Sequence, residues 1–217
     1  MRLVIPQNSL THVLPWTQRT LFACAASMLG FCAFVLVDTW DFQHQEDRKF
    51  ERLLALPAAP RPSLSLATEG LIGRMAIPRL GLSAIVMEGT SPSTLRRAVG
   101  HIAGTALPGR PGNVGISGHR DTFFRPLQHI RQNDIITFKT LSGDYRYRVV
   151  STKVVLPTEI EVLQSDSREL LTLVTCYPFY FVGSAPERFV VQAERAEGPT
   201  YPLGLLHVST RQVSASD

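Results

Sequence analysis

The chain has 217 residues, 44% of them hydrophobic, with a formal charge of +4 and a pI near 9.2. These values fit one folded domain with an appendage and exclude a disordered chain. The positive balance is mild, and its Lys and Arg residues form no basic stripe interleaved with aromatics, so the sequence gives no support to nucleic-acid binding.

The appendage comes first. From Thr20 to Val37, "TLFACAASMLGFCAFVLV", no residue is charged. As a helix this run rises about 27 Å, close to the thickness of a bilayer core, and it is read as a membrane-spanning signal anchor over 20–37. Arg2 and Arg19 precede it, whereas Asp38, Asp41, Glu46 and Asp47 follow. The positive-inside rule then puts residues 1–19 in the cytoplasm and everything beyond Val37 outside it. A buried core helix fits this charge division poorly. A cleaved signal peptide is the other alternative, but its apolar core would be long and no clear A-x-A site follows.

After the span, "DTWDFQHQEDRKFERLLAL" carries charges around Phe50, Leu53 and Leu54 and predicts a juxtamembrane helix. The Pro-rich stretch "PAAPRPSLSLATEG" then reads as a linker that holds a domain off the membrane. The folded domain is expected over 71–195, leaving a C-terminal tail at 196–217 that is too short to span a bilayer and has no assigned role. No internal repeat is present.

Within 71–195, the stretches "IGRMAIPRL", "SAIVMEG", "NVGISGH", "DIITFKT", "YRYRVVSTKVVL", "LLTLVTC" and "RFVVQAE" read as strands between Gly, Pro, Asn and Asp turns. Helical patterns are few: "SPSTLRRAV" opens with Ser91 as N-cap, and "PTEIEVLQ" supplies a further turn or two. The fold class is therefore mainly β, and about eight strands in one small domain predict a closed or nearly closed barrel.

Three residues at predicted strand ends have the chemistry of a nucleophilic site. Cys24 and Cys32 lie in the apolar run, too far apart on one helix for a disulfide, so Cys176 is the only cysteine in the exported part. A thiol attacks only as thiolate, and its ordinary pKa of about 8.5 calls for a nearby positive charge. His119, in the glycine-flanked "GISGHRDTFFRPL", supplies that charge as imidazolium and then a proton for a leaving amine. Arg188 opens the strand after the cysteine, and its fixed charge suits an oxyanion if those two strands pair. The competing readings are a buried free thiol, a hydrogen-bonded turn histidine, and a surface ion pair between Arg188 and Glu187. His101 in "GHIAG" rivals His119. His129 falls on a predicted strand edge, and His12, His44 and His207 lie outside the domain, so these four read as structural or solvated.

The segments "GTALPGRPGN", "GNVGISGHRDTFFRPL" and "LLTLVTCYPFYFVGSAPERFVVQAE" resemble the sortase family, membrane-anchored cysteine transpeptidases of the bacterial surface. The resemblance runs from about Ile72 to Glu194, and "TLVTC" matches the family signature that ends in its nucleophile. It implies an eight-stranded β-barrel, with Cys176 as nucleophile, His119 as catalytic histidine and Arg188 as catalytic arginine. It also implies that Thr175 supports the oxyanion and that His101 is a second histidine not required for the chemistry. "TCYP" and "GSAPERFVV" are most similar to class D, class E stays open, and an Asp-Pro-aromatic lid of class C type is missing upstream of the barrel.

The implied substrate is an exported protein with an LPxTG-like C-terminal sorting signal, cut after its threonine to leave a thioester on Cys176. The implied acceptor is an amine of a peptidoglycan precursor or a pilin lysine. No cofactor is expected, and no metal, because no acidic cluster stands out between Leu80 and Asp134. Two other classes fit less well. An L,D-transpeptidase would carry a Ser-His-Gly-Cys type signature, whereas Arg120 follows "SGH" here. An inactive sortase-like scaffold would not be expected to keep all three catalytic residue types.

Overall fold

The computed structural model describes residues 7–55, 70–165, 167–181 and 183–196. Most of the linker and of the C-terminal tail expected from the sequence lies outside these residues. Helix α1 runs unbroken from Gln7 to Ala55, joining the apolar run and the juxtamembrane segment into one element of 49 residues. It is the one described helix long and apolar enough to cross a membrane. Leu21, Phe22, Leu29 and Leu36 stand fully out from the protein, as lipid-facing side chains would.

Below the apolar run, α1 docks on the barrel. Phe50 is completely buried with Leu71 and Ile85, a burial that contributes about 2–3 kcal/mol, and the Arg74 guanidinium lies over its ring. Asp47 and Glu51 pair with Arg74, Asp38 pairs with Arg97 at 2.9 Å, and the Gln43 Oε1 accepts from the Ile85 N–H at 3.0 Å. Asp38 and Asp47, which follow the apolar run, thus have partners in the folded domain.

Eight strands close the barrel: β1 (Leu71–Ile77), β2 (Leu82–Glu88), β3 (Val99–His101), β4 (Gly112–Ser117), β5 (Ile135–Thr140), β6 (Gly143–Val155), β7 (Glu169–Tyr177) and β8 (Glu187–Arg195). Their spatial order is β1-β2-β3-β4-β7-β8-β6-β5, with β5 returning to β1. Closure leaves no free sheet edge. Most pairs are antiparallel; β2–β3 and β4–β7 are parallel. Met75, Ile116, Phe138, Tyr147, Leu173 and Val191 fill the interior, and the alternation of each strand turns its other residues outward.

Two local readings change in the structure and one stands. The first predicted strand stops at Ile77, because Pro78 starts a 3-10 turn, Pro78–Leu80, closed by Gly81 at φ 62°. Ser91 caps helix α2 (Pro92–Arg97) as expected, accepting from the Thr94 N–H at 3.2 Å. His129 belongs to a 3-10 helix, Arg125–His129, with Pro126 as its second residue, and not to a strand edge.

Candidate functional site

Strand order places β7 between β4 and β8, and register decides what its end meets. In the antiparallel β7–β8 ladder Cys176 is directly opposite Arg188, so both side chains leave the same, outer face of the barrel. In the parallel β4–β7 ladder Ser117 is level with Val174, and the Gly118 N–H extends that ladder to the Val174 carbonyl at 3.2 Å. β4 ends at Ser117, and His119 follows Gly118 in the turn beyond it, next to the end of β7 that carries Cys176. The three residues therefore form a row, with Cys176 and Arg188 about 5 Å apart at the backbone on paired strands and His119 in the turn beyond β4, on the other side of β7.

The turn carrying His119 is built by its neighbours. A Cβ on Gly118 would meet the Phe124 ring at 2.8 Å, so only glycine lets the chain pass over that buried ring. The His119 carbonyl accepts from the Phe124 N–H at 3.1 Å, which holds the turn closed while the imidazole projects into solvent. Thr175 faces inward, and its hydroxyl donates to the Gly118 carbonyl at 2.7 Å, fastening that turn to β7. Cys176 is a half-buried free thiol, whereas Cys24 and Cys32 are exposed on α1.

Arg188 forms no ion pair with Glu187. Its Nη1 donates to the Ala185 carbonyl at 3.2 Å and the Glu187 carbonyl at 2.9 Å, a fold-back onto its own loop within reach of the row. His101 is drawn away from the open face. It is buried, its Nδ1 lies 2.9 Å from the Glu88 carboxylate, and its Nε2 lies 3.0 Å from both the Ala106 carbonyl and the Thr105 hydroxyl. Both ring nitrogens are thus engaged in the corner between β2 and β3.

Sequence reasoning missed two buried polar groups that shape the cleft around this row. Asn113, on the outer side of β4, donates to the Val162 carbonyl at 3.0 Å and accepts from the Thr172 hydroxyl at 2.8 Å. This ties the β6–β7 connection across the outer face, where Leu163 and Ile102 pack over Gly115. At the other end, buried Arg120 holds the β7–β8 connection. Arg120 was visible only as the residue beside His119. Asn113 carried no signal beyond its place in a strand, where asparagine is uncommon.

A groove of about 990 Å³ that His119 helps to line reaches the end of the apolar run, with Val37, Trp40, His44, Arg96 and Phe123 also in its walls. His44, read from the sequence as structural or solvated, is exposed and packs on Trp40 there, with ring centres 4.0 Å apart. Among the described residues no three His, Cys, Asp or Glu side chains converge to hold a metal.

A thiol flanked by an imidazole and a guanidinium on a rigid sheet can form an acyl-enzyme, protonate a leaving group and neutralise an oxyanion. Known proteins share this frame. The family model described as a sortase domain matches residues 75–196. Sortase D of Bacillus subtilis (strain 168) is 31% identical over 191 residues, covering 81% of this chain and 96% of that protein. Among solved structures, the Sortase D5 transpeptidase of Clostridium perfringens superposes with a TM-score of 0.63 at 23% identity, over 72% of this chain and 99% of that one. Sortase C2 of Group B Streptococcus Pilus Island 1 superposes with a TM-score of 0.54 at 30% identity, over 59% and 75%.

Proposed function

Because the chain belongs to the sortase family of cysteine transpeptidases, we propose that Cys176, His119 and Arg188 are its catalytic residues and that its substrate is an exported protein with an LPxTG-like sorting signal. The carrying observation is the row itself: β7 puts Cys176 between His119, beyond β4, and Arg188, on β8. The Cys176 thiolate attacks the carbonyl carbon of the threonine–glycine bond. Arg188 swings from its loop carbonyls to the oxyanion, and His119 gives its proton to the departing glycine nitrogen. The thioester that remains is attacked by an amine, whose proton passes to His119 as the C–S bond breaks and the new amide forms.

The acceptor in this reading is an amine of a peptidoglycan precursor or a pilin lysine. The similarity to Sortase D over most of both chains supports a class D assignment. Thr175 acts through Gly118 by steadying the turn of His119, and His101 holds the neighbouring corner without entering the chemistry. Full-length protein in detergent, incubated with an LPxTG-like peptide and quenched in acid, should gain the mass of the N-terminal fragment on Cys176 and release that fragment to hydroxylamine. Cleavage with the adduct on another residue, or no cleavage across a panel of such peptides, refutes the reading.

We place residues 71–195 outside the cytoplasm as the catalytic domain, with 20–37 spanning the membrane once and the N-terminus inside. The support is the exposed apolar face of α1 and the division of charge across it. Protease added to intact spheroplasts should digest the barrel beyond Leu71 and spare residues 1–19. A protected barrel would reverse the orientation.

A further inference from the structure

We propose that Arg120 is a positioning residue for the reaction: its buried guanidinium clamps the β7–β8 connection against the turn of His119 and so sets how His119, Cys176 and Arg188 face one another. The inference rests on the assignment of those three residues made above. Arg120 is only 6% exposed, yet among the described residues its one carboxylate contact is Asp121 at 3.5 Å, a side chain that is itself 65% exposed. Its firm partners are carbonyls from the far side of the cleft. Nη1 donates to Pro178 at 2.8 Å, and Nη2 donates to Phe181 and to Gly183, the latter at 3.2 Å. The guanidinium also lies over the Phe181 ring, 5.9 Å from its centre.

Burying a cation costs several kcal/mol unless fixed dipoles replace its water, and three convergent carbonyls do so here. A turn between two antiparallel strands needs no such cation. What the arrangement adds is a connection between the two halves of the site. Pro178 is two residues past Cys176, Gly183 is five before Arg188, and Arg120 directly follows His119. One planar fork therefore spans both chain segments that the reaction must hold in step. A lysine keeps the charge, but a single ammonium cannot reproduce three donors in that plane.

The test is Arg120→Lys in full-length protein, with sorting-peptide turnover and the pH dependence of iodoacetamide alkylation at Cys176 both measured. We expect kcat to fall at least tenfold with KM within about twofold of wild type, and the alkylation profile to shift along the pH axis. A folded variant with wild-type kcat and an unshifted profile overturns the proposal, even if Tm falls. A raised KM at unchanged kcat also overturns it, since the arginine then shapes peptide binding. Should Arg120→Lys not fold, Arg120→Gln is measured in the same way, and failure of both to fold makes the residue a requirement of folding alone. If wild-type protein itself forms no acyl-enzyme, the functional assignment fails, and Arg120 is judged on the alkylation profile, which needs no substrate.

Discussion

Cys176→Ala abolishes peptide cleavage and acyl transfer together, with turnover down on the order of a million-fold, the scale seen when a covalent nucleophile is removed. Both half-reactions pass through the thioester, so neither survives the loss of sulfur. The fold should persist, because Cys176 is half-buried on the outer face and the interior packing of Leu171, Leu173 and Thr175 on the same strand is untouched. The double variant Cys24→Ala, Cys32→Ala is the control, since both thiols point away from the barrel on α1. Full activity in Cys176→Ala, or loss only in the double variant, contradicts the proposed mechanism.

Arg188→Ala should lower turnover roughly a hundred- to thousandfold, as removal of one oxyanion donor costs about 3–4 kcal/mol of barrier. Arg188→Lys should lose at least tenfold, because it keeps the charge without the fork. The competing account is a tether, since the side chain donates to the Ala185 and Glu187 carbonyls of its own loop. A tether predicts a drop in Tm and unchanged kcat in the folded fraction. Arg195→Lys separates the two. At the far end of the same strand, Arg195 stacks on Tyr145 and lies 3.6 Å from Glu169, so its loss lowers Tm while turnover per folded molecule stays at wild type. Wild-type turnover in Arg188→Lys would make the arginine structural and reduce the site to Cys176 and His119.

Much of this protein is legible from local pattern. The period-two alternation of residues such as Met75, Ile116, Leu173 and Val191 marks the strands, and Ser91 announces α2 through its own cap. The charge-free run before Asp38 marks the apolar span in the same way. These signals need no distant partner, because a strand's two faces, a cap and an apolar span are each properties of a few neighbouring residues. β3 escaped because three residues, Val99–His101, are too few to show a period. The "TLVTC" segment pointed to Cys176, but only pairing could bring it partners. β8 follows β7 in the chain and pairs with it antiparallel, so the nearness of Arg188 to Cys176 was anticipated from order alone.

The position of His119 was not. It depends on β4 and β7 lying parallel although β5 and β6 intervene in the chain, and closure of the barrel selects that pairing, not any local preference. Tertiary structure likewise decided that both nitrogens of His101 are taken up beside Glu88, that Arg188 leaves Glu187 unpaired with it, and that Arg120 reaches across to Pro178 and Gly183. It also brought α1 down onto Ile85 and Arg74. Except for the fold-back of Arg188 onto its own loop, each of these includes a contact between residues many positions apart, whose entropic cost of approach is met only when the whole barrel closes, so no window of the chain carries them alone.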